Sequence, residues 1–356
     1  MQKKLIALAV ASAAAAISAP AFAQSQVSVY GIIDVGIESA KFSDAAGNLT
    51  RMVNGANNTN RLGFKGSEDL GNGMKANFML ETQPAPDTGT VGTGTNFWAR
   101  TATVGLSSNS WGSVNLGSQY TPWFSARAAN DIFYTAGAGS NYLLEGNATR
   151  MSNSVRYDSN NMNGFTFSAM YGLGETTNGV NAAYNGDEGT TAANKKVGRS
   201  AGLNLAYANG PLALRYGYNT LLLTAGPDVN QKLNTVNGSY DFKVVKLVAG
   251  WSSAKIDNNG GDTRAWYLGG VMPVFGSDLI KLEYTKLTDK IANSADTNLV
   301  ALGYEHPMSK RTTLYATYAK LNNDTNATRM TFLTGGPGVL AGFDPSSLQM
   351  GMRHSF

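Results

Sequence analysis

The chain has 356 residues, with 28 Lys and Arg against 24 Asp and Glu, 41 glycines and no cysteine. Near-balanced charge without a Lys/Arg block excludes a nucleic-acid surface, and the absence of cysteine excludes a disulfide framework. The many Gly, Asn, Thr and Tyr residues suit strands and turns, and past the first residues no stretch reaches the roughly 20 apolar residues that cross a bilayer as a helix.

The first element reads as a targeting segment. Lys3 and Lys4 precede an apolar run over residues 5–17, broken only by Ser12, and Ala21-Phe22-Ala23 has the small-x-small form of a signal peptidase site. The run is too short for a transmembrane helix. Residues 1–23 are therefore expected to be cleaved, leaving residues 24–356 as one domain. Loss of Lys3 and Lys4 leaves 26 basic and 24 acidic residues.

From there the dominant pattern is alternation. Val27, Val29, Gly31, Ile33, Val35 and Ile37 share one face, while Ser28, Asp34 and Glu38 share the other. The same period returns over Phe165–Leu173, with Phe165, Phe167 and Tyr171 on one face, and over residues 200–207 and 212–219. About sixteen segments carry this period, with starts near Gln26, Thr59, Gly73, Phe97, Trp111, Arg150, Gly164, Arg199, Pro211, Gln231, Val244, Asp262, Asp278, Asp296, Arg311 and Ser346. Short turns, at residues 69–73, 160–164, 208–211 and 306–311, alternate with long polar loops at 39–59, 84–96, 176–198 and 323–344. Short turns at one end and long loops at the other predict an all-β, antiparallel up-and-down transmembrane barrel. A soluble β-sandwich also alternates, but no second set of strands covers the aromatic-rich apolar faces, and closure in lipid satisfies every backbone group.

The faces place the charges. Leu62 and Phe64 face out, so Arg61 and Lys65 face in; Val155 and Tyr157 face out, so Arg150, Ser152, Ser154, Arg156 and Asp158 face in. An arginine at the lipid midplane costs about 2–4 kcal/mol, which a watery lumen removes. Arg100 shares its face with Ala102 and Val104, so alternation leaves it open. The chain closes on Leu348-Gln349-Met350-Gly351-Met352-Arg353-His354-Ser355-Phe356, an amphipathic strand with a terminal aromatic.

Several phrases, in order, resemble the general porins of β-proteobacteria, the trimeric sixteen-stranded family that includes the neisserial and Burkholderia-type porins. They are Val29-Tyr30-Gly31-Ile32-Ile33-Asp34, Arg61-Leu62-Gly63-Phe64-Lys65-Gly66-Ser67-Glu68-Asp69-Leu70-Gly71, Val104-Gly105-Leu106, Trp111-Gly112-Ser113-Val114-Asn115-Leu116-Gly117, Asn153-Ser154-Val155-Arg156-Tyr157, Leu302-Gly303-Tyr304, Ser309-Lys310-Arg311-Thr312 and Gly351-Met352-Arg353-His354-Ser355-Phe356. The stretch 176–297 matches mainly by pattern. The resemblance implies a homotrimer in the outer membrane of a Gram-negative bacterium, in contact with its lipid. It also implies a third loop, residues 121–149, folded inward to an eyelet, with Asp131 and Glu145 as its acids and its own Arg127. It places Arg100 inward, so that Arg61, Arg100 and Arg150, with Arg156 and Lys65 behind them, form a basic constriction. Phe356 resembles the signal read by the barrel-assembly machinery. Small outward residues of the first strand, such as Gly31, leave room for close barrel contact.

The implied function is passive diffusion of small hydrophilic solutes and ions, mildly favouring anions. No enzyme constellation, cofactor cradle or metal set stands out: the two histidines, His306 and His354, have no nucleophile or ligand pattern around them, and residues 257–262 read as a solvated loop before they read as a cation site. A barrel enzyme needs a nucleophile, base and acid near the rim. An adhesin or receptor needs longer loops or a plug domain, and a sugar-specific porin needs an aromatic slide in the lumen.

Overall fold

The computed structural model describes residues 26–43, 47–92, 96–141, 149–174, 196–224, 227–330 and 339–356, so the proposed signal segment and Glu145 lie outside the described residues. The strands are β1 (Gln26–Ser43), β2 (Gly47–Asn54), β3 (Arg61–Gly71), β4 (Met74–Thr82), β5 (Pro84–Ala85), β6 (Thr90–Val91), β7 (Thr101–Ser108), β8 (Gly112–Tyr120), β9 (Arg150–Asp158) and β10 (Phe165–Leu173). They continue as β11 (Arg199–Asn209), β12 (Leu212–Thr224), β13 (Val229–Asp241), β14 (Lys246–Ile256), β15 (Gly261–Val274), β16 (Asp278–Asp289), β17 (Thr297–Pro307), β18 (Thr312–Asn323) and β19 (Ser346–Ser355). One short helix, α1 (Pro122–Ala128), opens the loop between β8 and β9.

Each barrel strand pairs antiparallel with its chain neighbour, and β1 pairs with β19 from Ile32↔Ser355 to Lys41↔Ser346, which closes the sheet. Closure matters physically because no edge is left to satisfy in a medium without water. Both β2 and β3 pair with β1, so they are two halves of one interrupted strand, and β5 and β6 form a separate small hairpin. The barrel thus has sixteen strands among the described residues. The predicted loop at 39–59 is corrected by this pairing. Residues up to Ser43 and from Gly47 to Asn54 extend the first hairpin, because their side chains still alternate.

The outer face is apolar and uncovered. Val29 is 57% exposed and Leu268 55%, with Leu106, Leu214 and Leu282 beside the same uncovered surface. A soluble protein does not present so large a patch, whereas lipid requires it. Aromatic pairs at the short-turn end, Phe165 with Tyr207 and Tyr240 with Phe242, have ring centroids 4.5 Å apart and mark an interfacial girdle. The space above Gly31 is not vacant for a second barrel: a Cβ there would lie 2.4 Å from Cζ of Phe356 of the same chain.

The inner face is not uniformly polar. Leu221, Leu223, Leu233, Met151 and Met170 form one buried cluster with Trp123 and Phe124. Leu287, Leu299, Leu321, Ala301 and Ala319 form another with Ile132 and Phe133. These inward apolar side chains receive residues 121–141 of the loop that follows β8. Burying each large apolar side chain is worth about 1.5–3 kcal/mol, so the two clusters fix the loop against β10–β18.

Candidate functional site

With the loop held against one side of the barrel, the passage runs along the other. A cavity of about 750 Å³ is lined by Tyr30, Arg61, Lys65, Glu81, Tyr120 and Arg156 among others, on the inner faces of β1, β3, β4, β8 and β9. Alternation explains most of this lining. In β4, Phe78 is exposed on the outer face, so Glu81 turns inward; in β9, Val155 is exposed, so Arg156 turns inward.

Tyr120 is the centre of the site. Its hydroxyl accepts from Arg100 Nη2 and from Arg150 Nη2, both at 2.6 Å. The Arg150 guanidinium also lies 4.3 Å over the Tyr120 ring, and the Phe124 ring stacks on it at 5.0 Å. Alternation points Tyr120 the wrong way, since it shares the parity of exposed Leu116. The turn inward comes at the strand end, beside a register shift between Gly117 and Gln119. Opposite that shift Asn153 sits in the left-handed region, φ 48°, as a bulge residue. The bulge also corrects two inward assignments. Ser152 now donates to Ser118 Oγ at 3.4 Å, on the parity of outward Leu116, while Met151 joins the inner apolar cluster. Arg150 reaches the passage from the strand end, not by the parity that assigned it.

The five basic residues come together but are differently engaged. Arg100 is buried and donates from Nε to Glu81 Oε1 at 2.6 Å. Glu81 also accepts from the Tyr30 hydroxyl at 3.0 Å. Arg156 forks onto Asp158, at 2.7 Å from Nη2, and donates from Nη1 to the Tyr120 carbonyl at 2.7 Å and Ser125 Oγ at 3.2 Å. It therefore straps the start of α1 to the wall. Arg61 and Arg150 have no carboxylate partner among the described residues, and Lys65 lies 5.1 Å over the Tyr30 ring. Five cationic side chains face two carboxylates, and both carboxylates are already ion-paired.

Of the two loop acids that the resemblance implies, Glu145 lies outside the described residues and Asp131 does not line the cavity. Asp131 is buried, and its carboxylate accepts from Phe133 N at 2.8 Å and Ser140 Oγ at 2.5 Å, so it folds the loop on itself. Arg127 is buried over the Tyr267 ring at 4.6 Å. Tyr134 and Thr135 both hold positive φ, 58° and 56°, and the Tyr134 ring lies 3.9 Å from Lys281 Nζ. At the long-loop end, Asp257 accepts from Lys232 Nζ at 2.9 Å and from Asn230 N at 3.1 Å, which hold its carboxyl below the usual range. That carboxylate is already occupied in folding the turn, and no group of metal-ligating side chains occurs among the described residues.

Comparison with known proteins gives a consistent picture. A family model described as Gram-negative porin matches residues 7–326. Outer membrane porin protein 32 of Delftia acidovorans is 34% identical over the whole of both chains. Major outer membrane protein P.IB of Neisseria gonorrhoeae is 28% identical over 88% of this chain and 91% of its own. Among solved structures, the anion-selective porin from Comamonas acidovorans aligns with a TM-score of 0.81 at 31% identity, covering 94% of this chain and all of that one.

Proposed function

This chain belongs to the Gram-negative porin family, and from that premise we propose that it is an outer-membrane diffusion channel whose constriction gives small anions the easier passage. One observation carries the proposal: around Tyr120 the wall holds three more cationic than acidic side chains, and Arg61 and Arg150 are free of carboxylate partners among the described residues. Charges along a narrow, low-dielectric-walled passage lower the barrier for counter-ions more than the same charges do in bulk water. A similar protein of known structure is named as anion-selective.

The same reading takes residues 1–23 as a cleaved export signal and the assembled form as a homotrimer in outer-membrane lipid. The test is the reversal potential of the purified protein in a planar bilayer under a salt gradient. An anion-directed potential is expected, and a cation-directed one refutes the proposal. A substitution checks the sign. Glu81→Gln removes a carboxylate and leaves Arg100 charged, so it should move the potential further toward anions. An unchanged potential would mean that the Glu81–Arg100 pair does not face the ion path.

A further inference from the structure

The interruption between β2 and β3 is a built element. Six residues, 55–60, stand opposite only Ile33 and Asp34 of β1, because pairing stops at Val35↔Asn54 and resumes at Ile32↔Arg61. The buried Asp34 bonds to four of the six. Its Oδ2 accepts from the backbone N–H of Asn57 at 2.9 Å and of Asn58 at 2.6 Å. Its carbonyl accepts from Gly55 N at 2.9 Å, and its own N–H donates to Asn60 Oδ1 at 2.5 Å. The remaining oxygen, Oδ1, accepts from the Tyr315 hydroxyl at 2.6 Å. Tyr315 can reach it because Gly351 is bare: a Cβ there would lie 2.5 Å from that hydroxyl.

The turn so held has two neighbours. On one side it meets the inward loop. A Cβ on Gly137 would fall 1.8 Å from the Ala56 carbonyl, and Asn57 Nδ2 donates to Glu305 Oε1 at 2.7 Å. Glu305 also takes the Tyr134 hydroxyl at 3.4 Å, and Arg353 Nη1 donates to Asn57 Oδ1 at 2.8 Å. On the other side it holds Arg61. The Arg61 guanidinium donates to Asn58 Oδ1 at 2.7 Å and twice to the Thr59 carbonyl at 3.3 Å.

We propose that Asp34, through the turn at residues 55–60, is the positioning residue for Arg61. The inference rests on the anion-channel reading for its electrical consequence, but not for its geometry. The cysteine-free chain allows a direct probe, a single Thr59→Cys labelled by a charged methanethiosulfonate in reconstituted channels. Asp34→Ala should raise the labelling rate about tenfold, the effect of losing one charge-assisted hydrogen bond. It should also shift the reversal potential toward cations as Arg61→Gln does, with no further shift in the double variant. Asp34→Asn should stay near wild type, since its amide oxygen can still take both N–H groups. If Asp34→Ala fails to assemble, Tyr315→Phe carries the test with a smaller change in the same direction. Unchanged labelling in whichever of these two variants assembles overturns the inference. An unchanged reversal potential in Arg61→Gln overturns the basic-constriction reading instead, and labelling still decides the turn.

Discussion

Deleting Phe356 is expected to lower the amount of assembled protein in the outer membrane at least about tenfold while leaving synthesis and export intact. The terminal residue closes the seam. Its N–H donates to the Gly31 carbonyl and its carbonyl accepts from Gly31 N, both at 3.1 Å, and its ring fills the space where Gly31 lacks a side chain. The energetic loss in the finished barrel is modest, because two backbone hydrogen bonds contribute about 0.5–1.5 kcal/mol each and the residue is 45% exposed. That is too little to unfold sixteen paired strands. A large loss of assembled protein would therefore come from a step before closure, when the last strand is still an open edge that another protein can read. Gly31→Val separates the two effects. It displaces the ring from its seat and crowds the Arg61 carbonyl, 2.7 Å from a Cβ there, but keeps the terminal residue, so it should lower the heat-modification temperature without a comparable loss of surface protein. Normal surface levels of the truncated chain, measured by surface labelling, would remove the recognition role.

Alternation makes most of the barrel legible in the sequence. Fourteen of the sixteen predicted starts are within about three residues of observed strands, because a wall with lipid on one side and water or protein on the other enforces period two. It failed where the wall stops being regular. Thr59 marked the second strand too late, since residues 47–54 pair with β1 ahead of the inward turn. Phe97 marked the fourth too early, since β7 begins at Thr101. Around the cavity, parity alone places Arg61, Lys65 and Arg156. Tyr120 is not legible by parity because a bulge and a strand end re-aim it, whereas Glu81 follows the same rule, its face set by Phe78 and Leu80. The inward leucines, Leu221, Leu233, Leu287, Leu299 and Leu321, break the polar-inside expectation for a physical reason. A loop packed inside a barrel needs an apolar bed, and a sequence window cannot show which distant segment will cover it.

Arg61→Glu is expected to bring the channel close to non-selective, and the double substitution with Arg150→Glu to make it prefer cations. The wall around Tyr120 has three positive charges in excess; one charge reversal leaves one, and two leave a single negative excess. Arg61 and Arg150 are the right positions because neither is tied to a carboxylate among the described residues. Reversing Arg100 would instead set a second acid against Glu81, and reversing Arg156 would release the strap on α1. At about 5 Å from the ion path and in water-like dielectric, a unit charge contributes about 0.8 kcal/mol, so each reversal changes the barrier for an ion of either sign by about 1.6 kcal/mol, in opposite directions, or roughly tenfold in each ion's permeability. The size depends on salt in a way that identifies the cause. Screening shortens from about 10 Å at 0.1 M to about 3 Å at 1 M, so the spread between wild type, single and double variants should narrow as salt rises. Reversal potentials for the three proteins at both salt concentrations give the answer. The basic-constriction reading fails if the potentials coincide at low salt, or if the double variant still favours anions as strongly as wild type.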